Sequence, residues 1–242
     1  MSFTDSGIKN TTIDKLPDGQ ISGNRIIPQK QEGLYTVSYH PVGGNLPPEK
    51  PRQLYEIIKD MPQVECRISP DGTLYIINLT AVETNAVLAA TSDSAVTPFQ
   101  HSVSCIGASI CQQGVRDSQQ LLASMLEAVE DADIPATALP TVYISGCPSS
   151  CGTQQIGTLG FQGGVKMING KAEPAFTLLL NGNEQQGTEK LGEPLGSILQ
   201  VQIPEFIVDL GNTVAASGLN FSSWIKQNEQ DFKELAAKYI IS

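Results

Sequence analysis

The sequence predicts an α+β chain in two parts, a small strand–helix–strand–strand–helix unit followed by a larger α/β unit. Three observations predict it. Residues 33–90 alternate short β-branched runs with two stretches of helical period, and Pro and Gly turns separate them. A polar linker, Thr91-Ser92-Asp93-Ser94, follows. Beyond it a helical stripe leads to a short apolar strand and a hairpin, and the chain ends in helix.

The elements follow in order. Residues 1–31 are polar with no steady period and read as an extended N-terminal arm. Residues 33–39 alternate and end at His40-Pro41, the pattern of a strand. Gly43 to Pro48 is a turn. Glu49 to Asp60 places Leu54, Ile57 and Ile58 at helical spacing. Val64 to Ser69 is a second strand. Pro70-Asp71-Gly72 is a hairpin turn, Pro presetting φ and Gly supplying φ > 0. Thr73 to Leu79 is a third strand, and Thr80 to Ala90 a second helix. This order suggests a small α+β sandwich of ferredoxin-like topology over residues 32–95, to be closed by a further strand.

The second part, 96–242, begins with a cysteine-bearing loop. Gln119 to Asp131 carries Leu121, Leu122, Met125, Leu126 and Val129 as the core stripe of a helix. Thr141 to Ile144 is a buried strand. Gly157 to Lys166 and Pro174 to Leu180 are strands joined by an Asn169-Gly170 turn. Residues 194–217 read as helical in part, interrupted by Pro204. Phe221 to Ile240 reads as one closing helix.

Composition narrows the function. The formal charge is −10 and the isoelectric point about 4.6, which disfavours nucleic acid, since phosphate binding needs a basic face. It also disfavours electrostatic steering of a strongly acidic donor protein. No apolar run approaches the ~18 residues of a membrane span, and the first residues carry no basic and apolar leader, so a cytoplasmic protein is expected. The two histidines and four arginines (Arg25, Arg52, Arg67 and Arg116) leave little for side-chain acid–base chemistry. A cofactor must carry any difficult redox step.

Four of the five cysteines form two tight pairs, Cys105-x5-Cys111 and Cys147-x3-Cys151. Four thiolates are what a [4Fe–4S] cubane needs, one per iron. Disulfides, zinc and four inert thiols are the alternatives. Disulfides suit small secreted frameworks, and structural zinc favours C-x2-C spacings. Cys66 stands alone in a strand-like run and reads as a small buried hydrophobe. The strand before Cys147 delivers its pair at a C-terminal strand end, where open α/β sheets place ligands.

The cysteine motif, with Ser145-Gly146-Cys147-Pro148-Ser149-Ser150-Cys151-Gly152 and the glycine-rich run Ile156 to Gly163, resembles the C-terminal half of the sirohaem and [4Fe–4S] nitrite and sulfite reductases. Residues 33–90 resemble that family's ferredoxin-like half-domain. The resemblance implies that Cys105, Cys111, Cys147 and Cys151 bind the cluster, and that Cys151 is also the axial ligand of the sirohaem iron. It implies six-electron reduction of sulfite to sulfide or nitrite to ammonia, with a small anion as substrate and a protein as electron donor. Gly152 is then expected at the cofactor, either for close approach of the flat macrocycle or for a turn with φ > 0.

The chain departs from the family in having one half of its two-half scaffold. The other half supplies the cations that hold the substrate and the macrocycle's carboxylates. The candidates left here are Arg67, His101, Arg116 and Lys166, each with an ordinary surface role as the competing reading. A homodimer or a partner subunit is expected to cover the site. A cofactor-carrying or electron-transfer subunit without its own substrate chemistry is the second expectation.

Overall fold

The computed structural model describes residues 13–241. They divide into two compact units, one reaching Pro41 and resuming over Leu46–Ser94, the other formed by Val42–Asn45 and the chain from Ala95 onward. Residues 1–12 of the expected arm lie outside the described residues.

The first unit holds β1 (Ile26–Pro28), β2 (Tyr35–Tyr39), α1 (Lys50–Ile58), β3 (Glu65–Ile68), β4 (Leu74–Leu79) and α2 (Ala81–Ala90). Its sheet has the order β1-β2-β4-β3, antiparallel throughout. β4 lies between β2 and β3, the split arrangement of a ferredoxin-like half-domain. The closing strand differs from expectation. It comes from the arm, where Ile26–Pro28 takes the open edge of β2, and not from the chain after α2. Three residues ending in proline carry no period that could have revealed it. Val37, Tyr39, Ile76, Leu79 and Val87 form the core between sheet and helices. α2 starts with a capping box: the Glu83 amide donates to Thr80 Oγ1, and the Thr80 amide donates to Glu83 Oε2 at 2.9 Å. Cys66 was expected to be buried. It is exposed, because every residue of β3, an edge strand, is exposed.

The described part of the arm docks on this unit. Lys15 Nζ donates to Glu83 Oε2 at 2.6 Å and to the Asn78 carbonyl at 2.7 Å, with its side chain only 5% exposed. Asp18 Oδ1 accepts the free amides of Ala81 and Val82 at the start of α2. A hydrogen bond from the Thr80 hydroxyl, with those amides, holds the Asp18 carboxyl below its usual range. Removing one partner of a buried pair leaves the other charge uncompensated. Lys15→Ala is therefore expected to destabilise the first unit by about 3 kcal/mol, seen as a lower urea midpoint. An unchanged midpoint would mean that water replaces the lysine at no cost.

The second unit holds β5 (Val103–Ser104), α3 (Ser118–Asp131), β6 (Val142–Ser145), β7 (Leu159–Ile168), β8 (Lys171–Leu180), β9 (Glu193–Leu199), α4 (Ile203–Ala216), α5 (Phe221–Gln227) and α6 (Glu229–Ala237). The sheet order is β5-β6-β7-β8-β9. β5, β6 and β7 are parallel neighbours, whereas β7, β8 and β9 are antiparallel. Asn169 and Gly170 both take φ > 0, as a two-residue hairpin turn demands.

Two expectations are corrected here. Residues 194–199 extend as part of β9, and a 3-10 turn at Gln200–Gln202 leads into α-helix at Ile203. Pro204 opens α4 instead of interrupting it, since a first-turn amide has no helical partner to lose. The closing helix is two helices, broken at Asn228 (φ −130°), whose side chain donates to the Trp224 carbonyl. Phe206 of α4 anchors the core, meeting Phe161 of β7, Phe232 and Tyr239 edge to face at 5.6–6.5 Å between ring centres.

Candidate cofactor site

β5 and β6 run side by side in register, Val103 against Tyr143 and Ser104 against Ile144. Both strands end in cysteine loops, so two loops leave the same end of a parallel pair. The Cys105 amide continues the ladder by donating to the Ile144 carbonyl at 3.0 Å. The Gly146 amide donates to Cys105 Sγ at 3.2 Å. Ser118 Oγ lies 3.1 Å from the same sulfur and donates to the Cys105 carbonyl at 2.8 Å.

The loop from Cys105 to Ser118 is closed by its own backbone. The Cys111 amide donates to the Gly107 carbonyl at 2.8 Å, and the Ala108 amide to the Arg116 carbonyl at 3.0 Å. The amides of Val115 and Arg116 both donate to the Gly146 carbonyl, at 3.1 and 2.8 Å. Gly146 is therefore bound from both sides by the first loop. A Cβ there would lie 2.3 Å from the Arg116 carbonyl oxygen, so only glycine permits the approach.

Cys147 is buried, and the hydroxyl and amide of Ser149 hold its thiol below the usual range. Cys151 is exposed. Its neighbours Ser150 (φ 59°) and Thr153 (φ 51°) both occupy the left-handed region, a costly conformation for a β-branched threonine. Gln154, fully buried, donates from Nε2 to Ser150 Oγ at 2.8 Å and supports this bend from inside. Gly152 is not at a turn with φ > 0. Its amide donates to Ser145 Oγ at 2.8 Å, and a Cβ would lie 2.0 Å from the Ile144 carbonyl oxygen. The turn reading of Gly152 is thereby overturned. Its close neighbour is this chain's own strand.

The structure separates the candidate cations. Arg67 sits on β3 in the first unit and pairs with Glu65 at 3.1 Å. His101 Nδ1 lies 2.8 Å from the Thr97 carbonyl of its own turn. Lys166 is exposed on β7, near the hairpin. Arg116 alone is built into the cysteine loop. Sequence reasoning missed Ser118 and Ser149 as sulfur partners and Gly146 as the clasp. The Asp117-Ser118 pair opening a helix soon after Cys111 was the available signal for Ser118.

All five cysteines are free. Among the described residues, no three His, Cys, Asp or Glu side chains converge as ligands of one ion. A cubane makes a different demand, one thiolate for each of four irons. The donor set fits that demand. Cys105 accepts the Gly146 amide, and Ser149 holds the Cys147 thiol below its usual range.

A family model described as the nitrite/sulfite reductase ferredoxin-like half domain matches residues 27–93. Ferredoxin–nitrite reductase of Synechococcus elongatus is 24% identical over 161 residues, covering 64% of this chain and 31% of that protein. The chloroplastic ferredoxin–nitrite reductase of Arabidopsis thaliana is 27% identical over 143 residues, covering 56% and 24%. The solved structure of the Mycobacterium tuberculosis NirA protein superposes with a TM-score of 0.67 at 22% identity, over 84% of this chain and 40% of that one. That likeness establishes the fold. The chain spans about a third or less of the length of the nitrite reductases it matches. Among the described residues no helix is long and apolar enough to cross a membrane.

Proposed function

We propose that this chain, which belongs to the nitrite/sulfite reductase family, is a sirohaem- and [4Fe–4S]-dependent reductase subunit acting on sulfite or nitrite. One observation carries the reading. The Gly146 amide on the second cysteine loop donates to the Cys105 sulfur on the first, so the two loops form one thiolate-bearing surface at the strand ends. Cys105, Cys111, Cys147 and Cys151 would hold the cluster, and Cys151, the exposed one, would also ligate the sirohaem iron. When bound, the paired groups supply one-electron steps to the anion.

The chain's own residues do the rest. Gly146 at Cys105 and Ser149 at Cys147 withdraw charge from sulfur by hydrogen bonding, which favours the reduced state of a thiolate-bound centre. The backbone clasp of Gly146 on Val115 and Arg116 holds the loops at fixed separation. Ile106, Ile110 and Val115 are exposed on the first loop. Covering them suits a second subunit, either another copy or a partner chain, beside a donor protein.

A second reading, a cofactor-carrying subunit completed by a partner chain, is favoured by the cations. Arg67 and His101 are already engaged, and Lys166 points from an exposed hairpin strand. Turnover of sulfite and nitrite side by side with reduced viologen, on protein of known mass in solution, separates the two. Turnover of either anion by the isolated chain, with macrocycle absorption as purified, is the expected result. Macrocycle absorption without turnover would support the second reading, and protein containing neither iron nor macrocycle would overturn both.

A further inference from the structure

Arg116 lies on the first cysteine loop, between Cys111 and the start of α3. Its Nε is buried and receives no acceptor. None of the ion pairs among the described residues includes it. Its neighbour Asp117 is committed elsewhere, since Oδ1 caps α3 by accepting the Gln120 amide at 3.0 Å. Residues 145–165 carry no charged side chain, so nothing on the second loop neutralises it.

The residue is nevertheless held firmly. Its amide and carbonyl are both bonded, to Gly146 and Ala108. The adjacent strand β7 presents Gly163, where a Cβ would lie 3.0 Å from the Arg116 Cβ. β7 therefore makes room for the arginine stem at that point. A guanidinium carries five donors in a planar fork matched to oxyanions. A buried donor left unpaired is costly, a cost that an incoming acceptor removes.

We infer that Arg116 is the oxyanion-binding residue of the cysteine site, taking a carboxylate or a small inorganic oxyanion through its guanidinium. The inference rests on the proposed cofactor site. The oxyanion has two possible sources, a carboxylate arm of the macrocycle or the substrate anion. Arginine suits both, and the two differ in what its loss removes.

The test compares the full chain with Arg116→Gln and Arg116→Lys, the lysine variant keeping the charge and most of the stem. Iron, sulfide and macrocycle content are measured as purified, with KM and kcat for sulfite and nitrite. In parallel, thermal shifts of the full chain stripped of cofactor are recorded with sulfite, nitrite and succinate as probes. A macrocycle carboxylate predicts that Arg116→Gln loses macrocycle while keeping iron and sulfide, and that the succinate shift disappears. A substrate oxyanion predicts unchanged macrocycle, with KM raised roughly tenfold to a hundredfold at similar kcat, and loss of the sulfite or nitrite shift. Partial rescue by Arg116→Lys is expected in either case. Equal probe shifts in wild type and Arg116→Gln, or no shift in wild type, would overturn the inference. So would a joint loss of iron, sulfide and thermal transition in both variants, which marks a purely structural arginine. If wild type holds neither iron nor macrocycle yet its shifts depend on Arg116, the proposed function fails and the oxyanion site stands.

Discussion

Cys105→Ser is expected to abolish iron and acid-labile sulfide while leaving the second unit folded. Serine fits the site: its oxygen can still accept the Gly146 amide and meet Ser118, contacts that now fall on the sulfur. What it cannot supply is a soft thiolate for an iron–sulfur cluster. Stability should therefore change little in protein without cofactor, and iron should fall to near zero. Cys111→Ser and Cys147→Ser should behave alike, the latter also releasing Ser149 from its sulfur. Cys66→Ser is the control. It lies exposed on β3 in the first unit and should keep full iron and sulfide. Loss of the cluster in Cys66→Ser with retention in Cys111→Ser would show the ligand assignment to be wrong.

The parts of the fold that announce themselves locally were legible in the sequence. The Thr80–Glu83 capping box, the Asn169-Gly170 turn and the stripe of α3 each carry a signal within a few residues. The ferredoxin-like order of the first unit followed from local signals of this kind within residues 33–90. Long-range partners did not. β1 is a strand only because β2 offers it an open edge, and β9 forms along β8 despite Pro194 and Gly196. Both lack the period that reading depends on, and tertiary pairing overrides local propensity.

The site divides in the same way. The thiolate spacing was visible, since ligand type is written in the chain. The clasp was not, because it joins Gly146 to Val115 and Arg116 through backbone groups that every residue possesses. A sequence shows that position 146 is glycine. Only the fold shows that the Arg116 carbonyl would stand 2.3 Å from any Cβ placed there.

Gly152→Ala is expected to damage the whole cysteine site, and Gly152→Leu no more selectively. A Cβ at 152 would sit 2.0 Å from the Ile144 carbonyl oxygen and 3.0 Å from Ser145 Oγ. The first is backbone at the end of a central strand and cannot turn aside as a flexible side chain would. The same oxygen accepts the Cys105 amide at 3.0 Å, so moving it disturbs the first cysteine loop as well as the second. The Gly152 amide bond to Ser145 Oγ would be lost with it. Overpacking of this kind costs about 3 kcal/mol, at the upper end of its usual range, so the second unit should melt earlier and retain little iron. Gly164→Ala is the matched control: it lies on β7 outside the left-handed region, and a Cβ there meets nothing within 4 Å. It should leave stability and iron content unchanged. The decisive comparison is size dependence. If the space at Gly152 served an approaching macrocycle, alanine would keep the wild-type melting temperature and iron, and only leucine would lose macrocycle absorption. Strand packing requires alanine alone to lower melting temperature, iron and macrocycle together, because the first added carbon already meets the Ile144 carbonyl.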